Sequence, residues 1–325
     1  NLETQPIPID GARSYFSYLP EDQKLRFDEL SVSSKWGTAR LEGEATLTGV
    51  DAGALTDLVG QFRLSDITIN PSNLYHEPVS IEGAELDFRL KPKPFRLELA
   101  RLQIADQGQT LTVNGSLNAE PTGWAVRVDA MMEAITPERL LALWPERVAG
   151  KTRSWLSQNL IRGALANTVF ALRWEPGALP QTYLGFEFDD TDVRFLPNMP
   201  PIEQARGHVS LLAKRFVLSV DKGHVTAPEG GQLDIASSAF IIPDVTIRDG
   251  TPVVVRLASK SSVTAALSIL NRPPLSVMDK ANLPVDIATG QADLQATIAF
   301  SMVPKGEKAQ LEYTAAGQLN GVKTE

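Results

Sequence analysis

Apolar and polar residues alternate at period two through most of this 325-residue chain, and that pattern narrows the fold more than any other feature. In residues 40–48, Leu41, Ala45 and Leu47 take one parity, while Arg40, Glu42 and Glu44 take the other. The same rhythm runs through Phe95-Arg-Leu-Glu-Leu, Trp124-Ala-Val-Arg-Val, Phe216-Val-Leu-Ser-Val, Val253-Val-Val-Arg-Leu and Leu294-Gln-Ala-Thr-Ile-Ala-Phe. Successive side chains of a strand point to opposite faces, so each segment is a strand with one apolar and one wet face. Strands of a parallel sheet are covered on both faces and read as continuous apolar runs; these segments therefore predict an antiparallel sheet. Gly, Pro, Asn and Asp punctuate the runs where turns belong.

Helical signals are few and come in two matched places. Thr136-Pro137-Glu138 is a capping residue followed by proline at the first helical position, and Leu140, Leu141 and Leu143 follow at helical spacing until Trp144-Pro145 stops them. A second helix is predicted over residues 146–161, with Val148, Trp155, Leu156 and Leu160 on one side and Gly163 just past its end. Residues 263–270 repeat the first helix, Pro273-Pro274 takes the place of Trp144-Pro145, and residues 275–281 form a shorter second helix. Residues 52–59 are a weaker helix candidate. Trp155 is expected to be buried against the sheet with Trp144, capping one end or packing on its rim.

These matches belong to an internal repeat. Ile81-Glu82-Gly83-Ala84 followed by Phe95-Arg-Leu-Glu-Leu returns as Ile202-Glu203-Gln204-Ala205 followed by Phe216-Val-Leu-Ser-Val, 121 residues later. Leu140, Leu143, Gly163 and Val169 return as Leu267, Leu270, Gly290 and Ala296, 127 residues later. No Pro/Gly/Ser linker separates the copies, which predicts one continuous elongated domain and not two domains side by side. Its parts are a first strand unit over 1–135, a helix pair plus second strand unit over 136–262, and a helix pair opening a third, truncated unit over 263–325.

Charge removes one class of function. With 31 Lys and Arg against 39 Asp and Glu, the net charge is −8, which argues against binding nucleic acid through phosphate neutralisation. Cysteine is absent, which excludes disulfides, thiolate metal sites and cysteine nucleophiles. No window approaches 18 uninterrupted apolar residues, so the segment reads as a soluble excerpt of a longer protein whose anchor lies elsewhere.

Catalytic constellations are missing from the sequence. His76, His208 and His224 are the whole imidazole supply, and none stands at helical spacing from another; His208 and His224 read as solvated strand histidines, with approach across strands the alternative. Asp189-Asp190-x-Asp192 lacks the glycine and distal glutamate of a calcium loop and reads as a hairpin turn. There is no nucleophile elbow and no Walker-type phosphate loop, and Glu229-Gly230-Gly231 reads as a turn. The expectation is a protein that is not an enzyme and uses no cofactor or metal.

One block is more specific. Leu143-Trp144-Pro145-Glu146, then Lys151-Thr152-Arg153-x-Trp155-Leu156, then Asn159-Leu160 and Gly163 resembles the signature of the central domain of AsmA-like, YhdP-type bacterial envelope proteins. The strand style of Ala39-Arg-Leu-Glu-Gly and Leu111-Thr-Val-Asn-Gly resembles the same group. The resemblance implies a fold that is mainly β with a few short helices: an elongated, curled antiparallel sheet, a β-groove or half-pipe, with inserted helix pairs. It implies a periplasmic segment of a protein held in the inner membrane by an N-terminal anchor outside this sequence. It also implies acyl-chain binding in an apolar groove, with phospholipid or another acyl-chain lipid as partner, and a part in phospholipid transport or outer-membrane lipid homeostasis. Envelope proteins are further possible partners, and nucleic acid is not one. Trp144, Pro145, Arg153, Trp155, Asn159 and Gly163 are then a structural motif. The apolar parity sets supply candidate groove residues: Leu97, Leu99, Phe216, Leu218, Val220, Val253, Val255, Leu257, Ile298 and Phe300. An elongated envelope scaffold without ligand is the alternative, and an enzyme acting on polysaccharide is a more distant one.

Overall fold

The structure is a computed structural model that describes residues 9–50, 53–71, 74–147, 149–273, 275–303 and 310–324. Among the described residues it is mainly β, with eighteen strands in one antiparallel sheet and four short helices. In chain order the first strands are β1 (Ile9–Leu19), β2 (Lys24–Ser34), β3 (Gly37–Thr48), β4 (Asp57–Ile69), β5 (Val79–Ile81), β6 (Gly83–Pro92), β7 (Phe95–Asp106), β8 (Gln109–Glu120) and β9 (Gly123–Ile135). A helix pair follows, α1 (Pro137–Leu143) and α2 (Gly150–Asn159), then β10 (Leu160–Trp174), β11 (Gln181–Val193), β12 (Ile202–Leu212), β13 (Arg215–Thr226), β14 (Gln232–Asp234), β15 (Ser238–Ile242) and β16 (Thr251–Ser262). A second pair, α3 (Val263–Leu270) and α4 (Val277–Ala281), leads into β17 (Ala288–Met302) and β18 (Leu311–Thr324).

Two stretches of the chain share a similar order of elements. The series β6, β7, β8, β9, helix pair, β10 is matched by β12, β13, β14 with β15, β16, helix pair, β17. Both leading helices are capped in the same way: the Thr136 hydroxyl accepts from the Arg139 N–H at 3.2 Å, and the Ser262 hydroxyl from the Ala265 N–H at 3.0 Å. Gly163 and Gly290, the paired glycines of β10 and β17, both take positive φ, at 158° and 131°.

Chain contacts gather into two units, one of residues Asn1–Arg153 with Thr168–Thr182 and the other of Ser154–Asn167 with Tyr183–Glu325. In the first unit consecutive strands pair in antiparallel register, β1 with β2, β2 with β3, β3 with β4, β4 with β6, and so on to β9, with β5 beside the end of β4. In the second, β11, β12, β13, β15, β16, β17 and β18 pair in the same serial way, and β14 bridges β13 to β16. Register shifts recur along the ladders, at 27/30 of β2, 99/102 of β7 and 188/191 of β11. Each such bulge bends its strand and raises the local twist.

Four sequence expectations change. The helix candidate over residues 52–59 gives way to strand: Ala52 lies outside the described residues, and β4 already begins at Asp57, past Gly53 at φ 75°. The second helix, expected over 146–161, starts at Gly150 because Ala149 takes φ 45°, and it stops at Asn159 as Leu160 enters β10; Val148 lies outside the described residues. The helix expected over 275–281 begins at Val277 after Ser276 at φ 45°, and Pro274 lies outside the described residues. Asp189, Asp190 and Asp192 sit inside β11 and not in a turn; Asp190, at φ 44°, is the bulged residue that lets the strand continue.

Candidate functional site: the apolar sheet faces

In the first unit, directly opposed residues put one apolar set on a single face. Phe27 stands opposite Gly43, Gly43 opposite Phe62 and Phe62 opposite Leu86; farther along, Leu90, Leu97, Leu117 and Val126 are opposed in turn. A second row runs Phe88, Leu99, Gly115, Val128. The rings of Phe16, Phe27, Phe62 and Phe88 form a chain with centroids 5.8, 5.7 and 6.1 Å apart. The glycines between them leave the rings their room. A Cβ on Gly60 would lie 2.5 Å from the Phe88 ring, and one on Gly43, at φ 152°, would lie 2.1 Å from the Gln61 carbonyl oxygen. Aromatic side chains laid over strand glycines pin register in twisted sheets.

Burial shows how this face meets its surroundings. Leu41, Phe62, Leu86, Phe88, Leu97, Leu99, Leu102, Leu117 and Val128 are all half-buried. A face clasped by a second layer would drive such side chains to full burial, as in a sandwich core. Among the described residues of this unit, the buried apolar ones are small or lie near strand ends, such as Ala45, Ala84, Val79 and Ile135.

The opposite face carries a ladder of charge. Arg63 reaches Glu42 at 3.7 Å and Glu85 at 3.8 Å, and Arg101 reaches Glu85 at 3.7 Å and Asp87 at 3.0 Å. At its margin Arg89 grips both oxygens of Asp57, and that hydrogen bond holds the Asp57 carboxyl below the usual carboxylate range. Cross-strand pairs of opposite sign are each worth a few tenths of a kcal/mol to about 1. They keep this face wet.

The second unit builds a comparable face and covers part of it. Phe216 stands opposite Leu211 and Ile242, Leu218 opposite Val209 and Phe240, Val255 opposite Phe240 and Ile298, and Val253 opposite Phe300. All eight predicted groove residues of this unit, Phe216, Leu218, Val220, Val253, Val255, Leu257, Ile298 and Phe300, share that face, while Leu97 and Leu99 belong to the face of the first unit. Two of the eight are enclosed: Val253 is 1% exposed and Val220 8%. Val220 packs with Val225 and Ile235 beneath Leu218, Leu257 and Ile269 of α3, so the helix covers one end of the face. Val220 and Val253 are therefore core positions and offer no surface to a ligand.

The helix-pair motif is a set of polar fasteners. Arg139 of α1 forks onto Asp106 of β7 at 2.6 and 2.8 Å and also donates to the Ser80 carbonyl at 2.9 Å. Arg153 of α2 donates to the carbonyls of Trp144 at 2.9 Å and Leu141 at 3.1 Å, which satisfies the C-terminus of α1. The Tyr75 hydroxyl donates to the Leu143 carbonyl at 3.0 Å. The basic residue of the R-x-W string is thus a helix cap. Trp144 is half-buried and, with Pro145, ends α1. Trp155 corrects the expectation of burial: it is 45% exposed, because α2 buries none of its residues completely. Asn159 donates to the Trp155 carbonyl at 2.8 Å, and a Cβ on Gly163 would lie 2.6 Å from the Thr191 hydroxyl.

The polar candidates resolve into ion pairs. His208 faces Asp221 at 3.6 Å and His224 faces Glu203 at 3.5 Å, so each histidine has a carboxylate neighbour of its own. Arg162 holds Asp190 and, at 2.6 Å, Asp192. Burial pushes the Asp192 carboxyl up, but the hydrogen bonds from Arg162 and the Gln204 N–H outweigh it and leave the group below its ordinary range. Among the described residues no three His, Cys, Asp or Glu side chains are grouped to hold a metal ion. A pocket of the first unit, about 620 Å³, lies beside α1 and is lined by His76, Glu77, Glu82, Trp144 and the already paired Arg139 and Arg153. Sequence reading missed Gly43, Gly60 and Gly207 as parts of the apolar faces; their signal was a glycine in register with an aromatic residue of the neighbouring strand.

Comparison with protein-family models, with curated proteins and with solved structures finds no match to this chain.

Proposed function

We propose that this chain works as a segment of a periplasmic AsmA-like, YhdP-type envelope protein, sheltering acyl chains of phospholipid along the apolar face of its first unit and acting without catalysis. One observation carries the reading: across β3 to β9 the large apolar side chains of that face are half-buried or, like Trp124, exposed, and the opposite face is charged. Burying a methylene is worth ~0.8 kcal/mol, so leaving a sixteen-carbon chain in water costs about 13 kcal/mol. A surface of Leu, Phe and Val removes most of that cost. Its attraction has no direction, so a bound chain slides along it without passing large barriers. The exposed apolar patches of monomeric proteins are usually far smaller than a face of seven strands.

Exposure of β1 and β18 over their full lengths favours the scaffold reading as the second choice, since exposed strands recruit other chains by strand addition. A single set of measurements separates the two. Protein purified from a bacterial host is extracted and its lipid identified by mass spectrometry, and uptake of a fluorescent fatty acid is measured for the parent, for Leu99→Asp and for Thr112→Asp on the opposite face. The acyl-chain reading requires co-purified phospholipid, strongly reduced uptake in Leu99→Asp and unchanged uptake in Thr112→Asp. Absence of lipid together with equal uptake by both variants leaves the scaffold.

A further inference from the structure

The α3–α4 hairpin has an unusual division of its apolar residues. Helix α3 is apolar almost throughout, Val-Thr-Ala-Ala-Leu-Ser-Ile-Leu, and it buries Val263, Ala265 and Ala266 against the sheet. After Ile269 the pattern inverts. Leu270, Leu275, Val277 and Leu283 are all exposed, and among the described residues of the α3–α4 connection and α4 only Met278 is buried. A second exposed apolar pair, Phe195 and Leu196, lies in the loop after β11. Arg272 ties that loop to the hairpin by donating to the Asn198 carbonyl at 3.1 Å. Single exposed leucines are ordinary on any protein, but here six large exposed apolar side chains lie on two segments joined by that hydrogen bond, and exposed apolar residues gathered in this way mark contact surfaces.

The charges beside the patch name the partner. Residues 194–199 and 270–283 carry three cations, Arg194, Arg272 and Lys280, against one carboxylate, Asp279, although the whole chain has a net charge of −8. That carboxylate is engaged, with the Asn271 side chain donating to it at 2.9 Å. Lys280 folds back to the Leu275 carbonyl at 2.8 Å, which keeps its charge among the apolar residues. Short apolar segments flanked by Lys and Arg lie in the interface of an anionic bilayer, the side chains among the acyl groups and the cations at the phosphates.

We propose that the tip formed by the α3–α4 hairpin and the 194–199 loop docks on an anionic lipid surface. The inference goes beyond acyl-chain shelter and stands apart from it: the tip lies in the second unit, and the face proposed to shelter acyl chains lies in the first. The test is sedimentation of the full chain with vesicles of phosphatidylcholine alone and of phosphatidylcholine with one-third phosphatidylglycerol. Bound protein rises severalfold with the anionic lipid and falls as salt is raised. Leu275→Ser with Val277→Ser, both exposed positions, lowers binding at least fivefold with an unchanged melting temperature, and Lys280→Gln weakens both binding and its salt dependence. Equal sedimentation of parent and double variant overturns the proposal. So does a double variant whose change appears as loss of self-association in gel filtration, which would make the tip a contact between copies. Fatty-acid uptake measured on the same preparations keeps the two readings apart: uptake without vesicle binding sinks only the docking surface, and vesicle binding without uptake sinks only the acyl-chain face.

Discussion

Phe188 of β11 stands directly opposite Gly207 of β12, and a Cβ built on Gly207 would lie 2.7 Å from the ring and 2.0 Å from the Ser219 carbonyl oxygen. The second of these contacts is with backbone, which has no rotamer to escape into. Gly207→Ala must therefore move β13 or β12. Overpacking of this kind costs about 1–3 kcal/mol. We expect a matching drop in the urea midpoint of unfolding, and a variant as stable as the parent would show that the ladder yields freely there.

The ring chain of the first unit gives a graded prediction. Phe62 touches rings on both sides, Phe27 at 5.7 Å and Phe88 at 6.1 Å, while Phe16 touches one. Full burial makes Phe→Ala worth about 3–5 kcal/mol, and half-burial scales that down to roughly 2 for Phe62. Phe16→Ala, on an exposed strand, is expected to cost less than 1 kcal/mol. Thermal unfolding of the two variants checks the order; equal losses would mean that the rings do not act as a packed row.

Arg139 and Asp106 are each only 16% exposed at the side chain and meet through two hydrogen bonds. Removing one partner strands the other charge away from water, at a cost of about 3 kcal/mol or more. Arg139→Met is expected to lose that amount, and Arg139→Met with Asp106→Leu to recover most of it, by denaturant titration. By contrast Trp155→Ala, at an exposed site, is expected within about 0.5 kcal/mol of the parent.

Three carboxyls, Asp57, Asp192 and Asp244, sit below their ordinary pKa, so the unfolded chain binds more protons than the folded one as acid is added. Asp244 is held at about 2 by Lys214, whose ammonium lies 2.7 Å away, and by the Thr246 side chain and N–H. Their stabilisation is complete above the unfolded value of 3.8 and fades as pH falls through the folded values toward about 2. NMR titration of the Asp244 carboxyl is expected to show a low pKa in the parent and a return toward 3.8 in Lys214→Met. An unchanged titration in the variant would contradict the assigned cause.

Period-two alternation was enough to place the strands that carry Phe95, Phe216 and Val253 and to put Leu97 and Leu99 on a common face, because strand geometry forces side chains two residues apart onto the same side. The caps Thr136 and Ser262, and the stop at Trp144-Pro145, were equally legible, since hydroxyl capping and proline act within one turn of helix. The bulge at Asp190 was not: Asp-Asp-x-Asp looks like a turn until Arg162, on a neighbouring strand, is seen to hold both carboxylates.

What the sequence determined alone is the local alternation and the capped starts of the two leading helices, both set by interactions a few residues long. Whether an apolar parity set is core or surface was decided only in three dimensions. Val253 and Leu99 are alike in their strands, yet Val253 is buried while Leu99 stays half-exposed. The same separation left Trp155 in solvent and gave Arg153 its two carbonyls. Burial depends on which distant segment comes to rest over a face, and one-sided alternation reads the same with or without that cover.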